Sequence, residues 1–186
     1  MKFKVLNKNE YFKNEYKLVP IRMKDRFLIM KWRNEQIFHL RQKKLLTEDA
    51  QDYYFNSVVA KLFEVDKPSQ ILFSYLKNKE CIGYGGLVHI NWEDRNSELS
   101  FLINTEIQGE EFELHWNNYL SMIEEVAFHD IKLHKLFTFA FDVRPRLYQI
   151  FENNGFKREA ILEDHCLIDG EFKKVIIHGK TNRSIV

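Results

Sequence analysis

Between Phe112 and Ala127 the residues Phe112, Trp116, Tyr119, Leu120, Ile123, Val126 and Ala127 recur at helical spacing, which makes one face of about five turns apolar. Such a helix is stable only against a surface that takes that face. The flanking sequence offers strands. "SQILFSYL" and "CIGYGGLVHI", parted by "KNKE", read as a hairpin, "SELSFLI" adds a strand with Leu99, Phe101 and Ile103 on one face, and "KLFTFAF" follows the helix.

Outside this centre, "YKLVPIR" reads as a strand after a polar lead-in, and "MKDRFLIMKWRN" as a short helix with Asp25 near its start. A charged connection, "EQIFHLRQKK", leads to the helix "LTEDAQDYYFNSVVAKLF". There Thr47 is the expected N-cap, Glu48 and Asp49 complement the helix dipole, and Tyr54, Val58 and Leu62 recur every four residues. "RPRLYQIFENNGF" is a short helix closed by Gly155, and Asp169-Gly170 suits a type I′ turn in a last hairpin. The expected order is β-α-α-β-β-β-α-β-α-β-β, a mixed, mostly antiparallel α/β fold in one domain over residues 1–186.

Composition narrows the function. Lys and Arg total 28 against 27 Asp and Glu, so a net charge of +1 gives no general pull toward nucleic acid or an anionic membrane. No stretch approaches the ~18 continuous apolar residues of a membrane span, and nothing at the N-terminus targets the chain out of the cytoplasm. Cys81 and Cys166 lack metal or redox spacing and read as thiols in a reducing compartment, and no metal site is expected. No GxSxG, HExxH, Walker loop or GxGxxG occurs, and "GYGG" lies inside a strand rather than opening a helix. Hydrolase and NTPase chemistry have no foothold.

In order and in local phrases the chain resembles the GNAT N-acetyltransferases, over about residues 17–181. "CIGYGGL" is similar to that family's third strand, "SELSFLI" to its fourth, and "YQIFENNGF" to its fourth helix with the closing Gly-Phe. "MKWRN" followed by "LTEDAQDYYF" is similar to members that acetylate nucleotide-linked aminosugars for surface polysaccharides. The resemblance implies a splayed sheet flanked by helices, acetyl-CoA as co-substrate and direct attack by an amine.

It also implies roles for residues. Glu98, at the start of "SELSFLI", matches a general-base glutamate of some members, and strand alternation sets it with Ser100 and Leu102, free to face a cleft. The usual acid is a tyrosine four residues before the closing glycine; here Phe151 stands there, and Tyr148, one turn earlier, is the substitute candidate. Backbone N–H groups of Phe101, Leu102 and Ile103 would polarise the thioester carbonyl. For the pyrophosphate the family uses a glycine-rich helix start, of which Gln108, Gly109, Glu110 and Glu111 keep only Gly109. Carboxylates there favour the helix, yet each could cost about 1 kcal/mol at ~7 Å from a bound phosphate. So Glu110, Glu111 and Glu113 must turn outward, or Arg144 and Arg146 must compensate.

For the acceptor, Trp32, Arg33, Asn34, His39 and Arg41 cluster in the first helix and following loop, with His89 near the end of the third predicted strand. Two alternatives stay open: a non-catalytic GNAT-like binding module with a degenerate phosphate loop, and acetylation of a protein or peptide amine. The implied partner is a small-molecule amine, with no nucleic acid and no membrane; homo-oligomerisation is left open.

Overall fold

The computed structural model describes residues 2–182. Eight strands form one sheet in the order β1-β2-β3-β4-β5-β6-β8-β7: β1 (Tyr11–Lys13), β2 (Tyr16–Pro20), β3 (Ile71–Lys77), β4 (Glu80–Asn91), β5 (Asn96–Ile103), β6 (Lys135–Phe141), β7 (Lys157–Ile168) and β8 (Glu171–Thr181). The helices are α1 (Arg26–Glu35), α2 (Glu48–Tyr54), α3 (Gly109–Glu124) and α4 (Arg146–Asn153). This is the expected order with one addition. β1 lies in the polar lead-in, where Tyr11 is buried against Phe73 and donates its hydroxyl to Asp130. No helix among the described residues is long and apolar enough to cross a membrane.

Local signals set several boundaries. The Thr47 hydroxyl accepts from the Ala50 amide at 3.2 Å, and Asp169 and Gly170 both take positive φ, 51° and 81°. The α2 stripe differs from expectation. The chain continues from α2 through a π-helical stretch (Phe55–Val59) to Ala60–Leu62, and Gln51, Phe55, Val59 and Leu62 are buried while Val58 is exposed. Tyr54 stays at the flank of the buried face, where it lines a cavity.

Both faces of β5 are covered. Phe101 stacks on Tyr119 of α3 at 3.8 Å and meets Trp116 edge-on at 4.9 Å, whereas its neighbour Ser100 lines a cavity with Ile29 of α1 and Gln51 of α2. Adjacent strand residues point to opposite faces, so α3 and the α1–α2 pair sit on opposite sides of the sheet. The "GYGG" glycines serve close strand approach: a Cβ on Gly85 would lie 2.2 Å from the Ser100 carbonyl, and one on Gly86 2.0 Å from that of Ile71.

Two irregularities shape the centre. β4 and β5 pair at Val88↔Glu98 and again at Asn91↔Asn96, which leaves His89 and Ile90 opposite Ser97 in a bulge, with His89 at φ 51°. Among the described residues β5 and β6 are the only parallel neighbours, joined at Asn96↔Lys135, Ser97↔Leu136 and Glu98↔Phe137. Beyond Glu98 the two strands part, β5 running to Ile103 and β6 to Phe141, and the sheet forks.

Candidate active site

Glu98 is therefore the last paired residue before the fork. It is buried, 6% exposed, because the loop after α1 folds over the α1 side of the sheet. Its Oε1 accepts from Nη2 of Arg41, and its Oε2 contacts Nδ1 of His89 at 2.8 Å. Arg41 lies over the Phe139 ring at 5.0 Å, so the same guanidinium spans the fork from β5 to β6.

A cleft of about 110 Å³ opens between the parted strands, with Glu98, His39 and Arg144 on its walls and Trp116, Leu147 and Phe151 among its apolar lining. Phe101 is buried on the α3 side, and Leu102 and Ile103 complete the β5 limb of the fork. The Ile103 carbonyl already accepts from Nε2 of Gln36 at 2.9 Å. No sequence signal marked Gln36, since a glutamine after a helix has no pattern of its own.

At its outer end the cleft meets a larger hollow of about 490 Å³, lined by Gln108, Gly109, Phe112, Arg144 and Arg146. Gly109 opens α3 at φ 63°, and Gln108 makes no side-chain cap, so the first-turn amides carry no side-chain acceptor from it. Glu110 and Glu111 are exposed, Glu113 is half-buried, and none of the three lines the hollow. Arg146 lies over Phe112 at 5.8 Å. Arg144 borders both cleft and hollow; burial holds its guanidinium down to about 10 from 12.5, and it has no hydrogen bond or ion pair among the described residues.

Two buried atoms in the cleft residues are also without partners, Nδ1 of His39 and Nε1 of Trp116. An elongated guest carrying amide N–H and carbonyl groups and an anionic end would satisfy all three groups. Coenzyme A carries such groups, amides along its arm and phosphates at its end.

On the α1–α2 side lies a third cavity, about 310 Å³, lined by Arg33, Gln51, Tyr54, Tyr84 and Ser100 and containing no Asp or Glu in its wall. Ser100 belongs to this cavity and to the cleft, so the two meet beside Glu98. Arg33 donates to the Tyr84 hydroxyl at 2.6 Å and to Gln42 at 2.9 Å. Trp32 is not in this wall: at 2% exposure it is a core residue, because α1 turns its 29/32 stripe inward. Asn34 ties the loop down, accepting from the Leu46 amide at 2.8 Å and donating to its carbonyl at 2.9 Å.

Tyr148 is not brought to the cleft. Its hydroxyl donates to Asp142 at 2.8 Å, its ring stacks on buried His178 at 5.4 Å, and burial with the Asp142 carboxylate raises its pKa well above that of an ordinary tyrosine. Positions 148 and 151 share a helix face, and both rings pack on His178, but Asp142 holds the Tyr148 hydroxyl while Phe151 lines the cleft. Among the described residues no cluster of His, Cys, Asp and Glu could hold a metal ion.

Burial holds three histidines neutral, which predicts acid lability. His39 is lowered to about 3 by burial and then by Arg144, and His115 and His178 are lowered by burial. For His39 the unfolded chain, near 6.5, binds the extra proton between about 6.5 and 3, so stability is complete above 6.5 and declines as pH falls. Urea denaturation at pH 5 is expected to give a free energy roughly 2 kcal/mol below that at pH 7 for His39 alone. His39→Gln should remove that part of the slope.

Comparison with known proteins agrees with this architecture. The sequence profile of the acetyltransferase (GNAT) domain matches residues 9–174. Spermidine N(1)-acetyltransferase of Vibrio cholerae is 27% identical over 97 residues, 52% of this chain and 54% of that one; the match thus spans about half the length of the curated relative. Spermidine N-acetyltransferase from Vibrio cholerae in complex with CoA and spermine superposes with a TM-score of 0.78 at 20% identity, covering 91% of this chain and 96% of that one. A dodecameric structure of the Vibrio cholerae enzyme gives 0.72 at 20% identity, covering 91% and 95%.

Proposed function

The chain belongs to the GNAT acetyltransferase family, and we propose that it transfers the acetyl group of acetyl-CoA directly to a primary amine held where the acceptor cavity meets the fork. The observation that carries this is Glu98, buried at the last paired position of the fork and joined to Arg41 and His89. Acetyl-CoA supplies the activated acyl group as a thioester. The Glu98–His89 pair takes the proton that the amine must lose, and the β5 limb orients the acyl end. An acyl-enzyme route through Cys81 is disfavoured, since burial pushes its thiol up to about 12. With Tyr148 bound to Asp142, the thiolate leaves without a tyrosine acid; a coenzyme A thiol is acidic enough to depart into water.

The favoured acceptor is an aminosugar nucleotide. Arg33 and two tyrosines in a wall without carboxylates suit an aromatic base or an anionic linker. The relatives named for spermidine favour a polyamine instead; its several ammonium groups would meet one guanidinium and no carboxylate in that cavity. The dodecameric relative supports assembly into a homo-oligomer.

Two measurements test the proposal. Isothermal titration should show acetyl-CoA binding, and thiol release should accelerate with one class of amine among a nucleotide-linked aminosugar, spermidine and a peptide. Binding without turnover on any of them would favour the non-catalytic module, and no binding at all would end the acetyltransferase reading.

A further inference from the structure

Both oxygens of Glu98 are engaged, Oε1 by Arg41 and Oε2 by Nδ1 of His89. Each carboxylate oxygen thus already accepts one hydrogen bond, and the residue is only 6% exposed. The His89 ring is the reverse case: its side chain is 63% exposed, and Nε2 has no partner among the described residues. The bulge in β4 puts it there. A residue in regular β4 register would not present its ring to Glu98, whereas His89 at φ 51° does.

Its neighbour Val88 lines the acceptor cavity and its partner Glu98 lines the cleft, while the His89 ring itself is in neither wall and opens to solvent beside them. The charged groups facing it are Glu98 from β5 and, across Glu98, Arg41 from the loop after α1.

We propose that His89 Nε2 is the general base and that Glu98, anchored by Arg41, is the group that orients it. A carboxylate at Nδ1 holds the proton on that nitrogen, which leaves the Nε2 lone pair free and stabilises the imidazolium once formed. The proton passes from the amine nitrogen to Nε2 as the N–C bond to the acetyl carbon forms and the C–S bond breaks. The electron pair leaves on sulfur, and the exposed imidazolium then sheds its proton to water. This inference rests on the acetyltransferase reading of the site, yet its first test needs no turnover.

In nitrogen-15 histidine NMR at neutral pH, His89 should carry its proton on Nδ1, with Nε2 bare, and Glu98→Gln should shift it toward the Nε2–H form common in solution. An Nε2–H tautomer in the unaltered protein would overturn the proposal, whatever the enzyme acetylates. The second test uses thiol release with the panel amine that turns over. His89→Ala should lower kcat by about 100- to 1,000-fold with KM changed less than threefold, and imidazole at tens of millimolar should restore part of the rate, because the ring site is open to solvent. Imidazole should not rescue Glu98→Gln. Retention of more than a third of kcat by His89→Ala, while Glu98→Gln loses its activity, would assign the base to Glu98 instead.

Discussion

Glu98→Gln is expected to reduce kcat by between about 100- and 10,000-fold, while acetyl-CoA affinity stays within threefold. The amide keeps the shape of the side chain, so the fork and the burial of position 98 are preserved. The negative charge is lost. Without it Arg41 has no anion to anchor, and an amide no longer holds the proton of His89 on Nδ1 or stabilises its imidazolium. Stability should change little, because Arg41 and His89 are 48% and 63% exposed at the side chain and water can take over their hydrogen bonds. Stopped-flow thiol release and isothermal titration separate the two effects; a kcat within threefold of the parent would remove the Glu98–His89 pair from the chemistry.

Arg144→Leu is expected to weaken acetyl-CoA binding roughly ten- to a hundred-fold and, at the same time, to raise the melting temperature of the free protein. The two signs come from one cause. Burial lowers the guanidinium to about 10, and no carboxylate among the described residues compensates it. At neutral pH this desolvation penalty is fully in force, since a base whose folded value lies below its unfolded one loses the penalty only as pH rises past about 10. Leucine removes the penalty from the free protein. It also removes charge-assisted hydrogen bonds to phosphate, each of about 1.5–3 kcal/mol, or about one to two powers of ten in Kd. Calorimetric binding and thermal melts on one preparation read both numbers. Unchanged affinity would place the phosphates elsewhere, whereas a lower melting temperature would mean that Arg144 has a structural partner.

The acidic start of α3 illustrates how far residue chemistry could be carried before packing was known. "IQGEEFELHW" set a condition, that its carboxylates face away from bound phosphate or that arginines compensate, and packing puts Glu110, Glu111 and Glu113 outside the hollow that Gly109, Arg144 and Arg146 line. The three-residue offset between Tyr148 and Phe151 failed for the opposite reason. Sequence spacing places residues around a helix, but Asp142 and His178, from outside that helix, determine where the Tyr148 ring and hydroxyl settle.

By itself the sequence determined the elements and their order. Apolar periodicity, N-caps and turn pairs such as Asp169-Gly170 act between residues a few positions apart, and their physics is local. It also named Glu98 as the base and Arg41 and His89 for the acceptor. Only the tertiary structure decided that they form one unit. Arg41 and Glu98 are 57 positions apart in the chain, and His89 reaches the same carboxylate through a bulge that no residue type announces. It likewise sent Trp32 to the core and left its neighbour Arg33 in the acceptor wall. Periodicity reports how many faces are apolar. Which long-range partner a polar atom finds depends on how distant segments pack, and here that packing follows from a sheet that parts after Glu98.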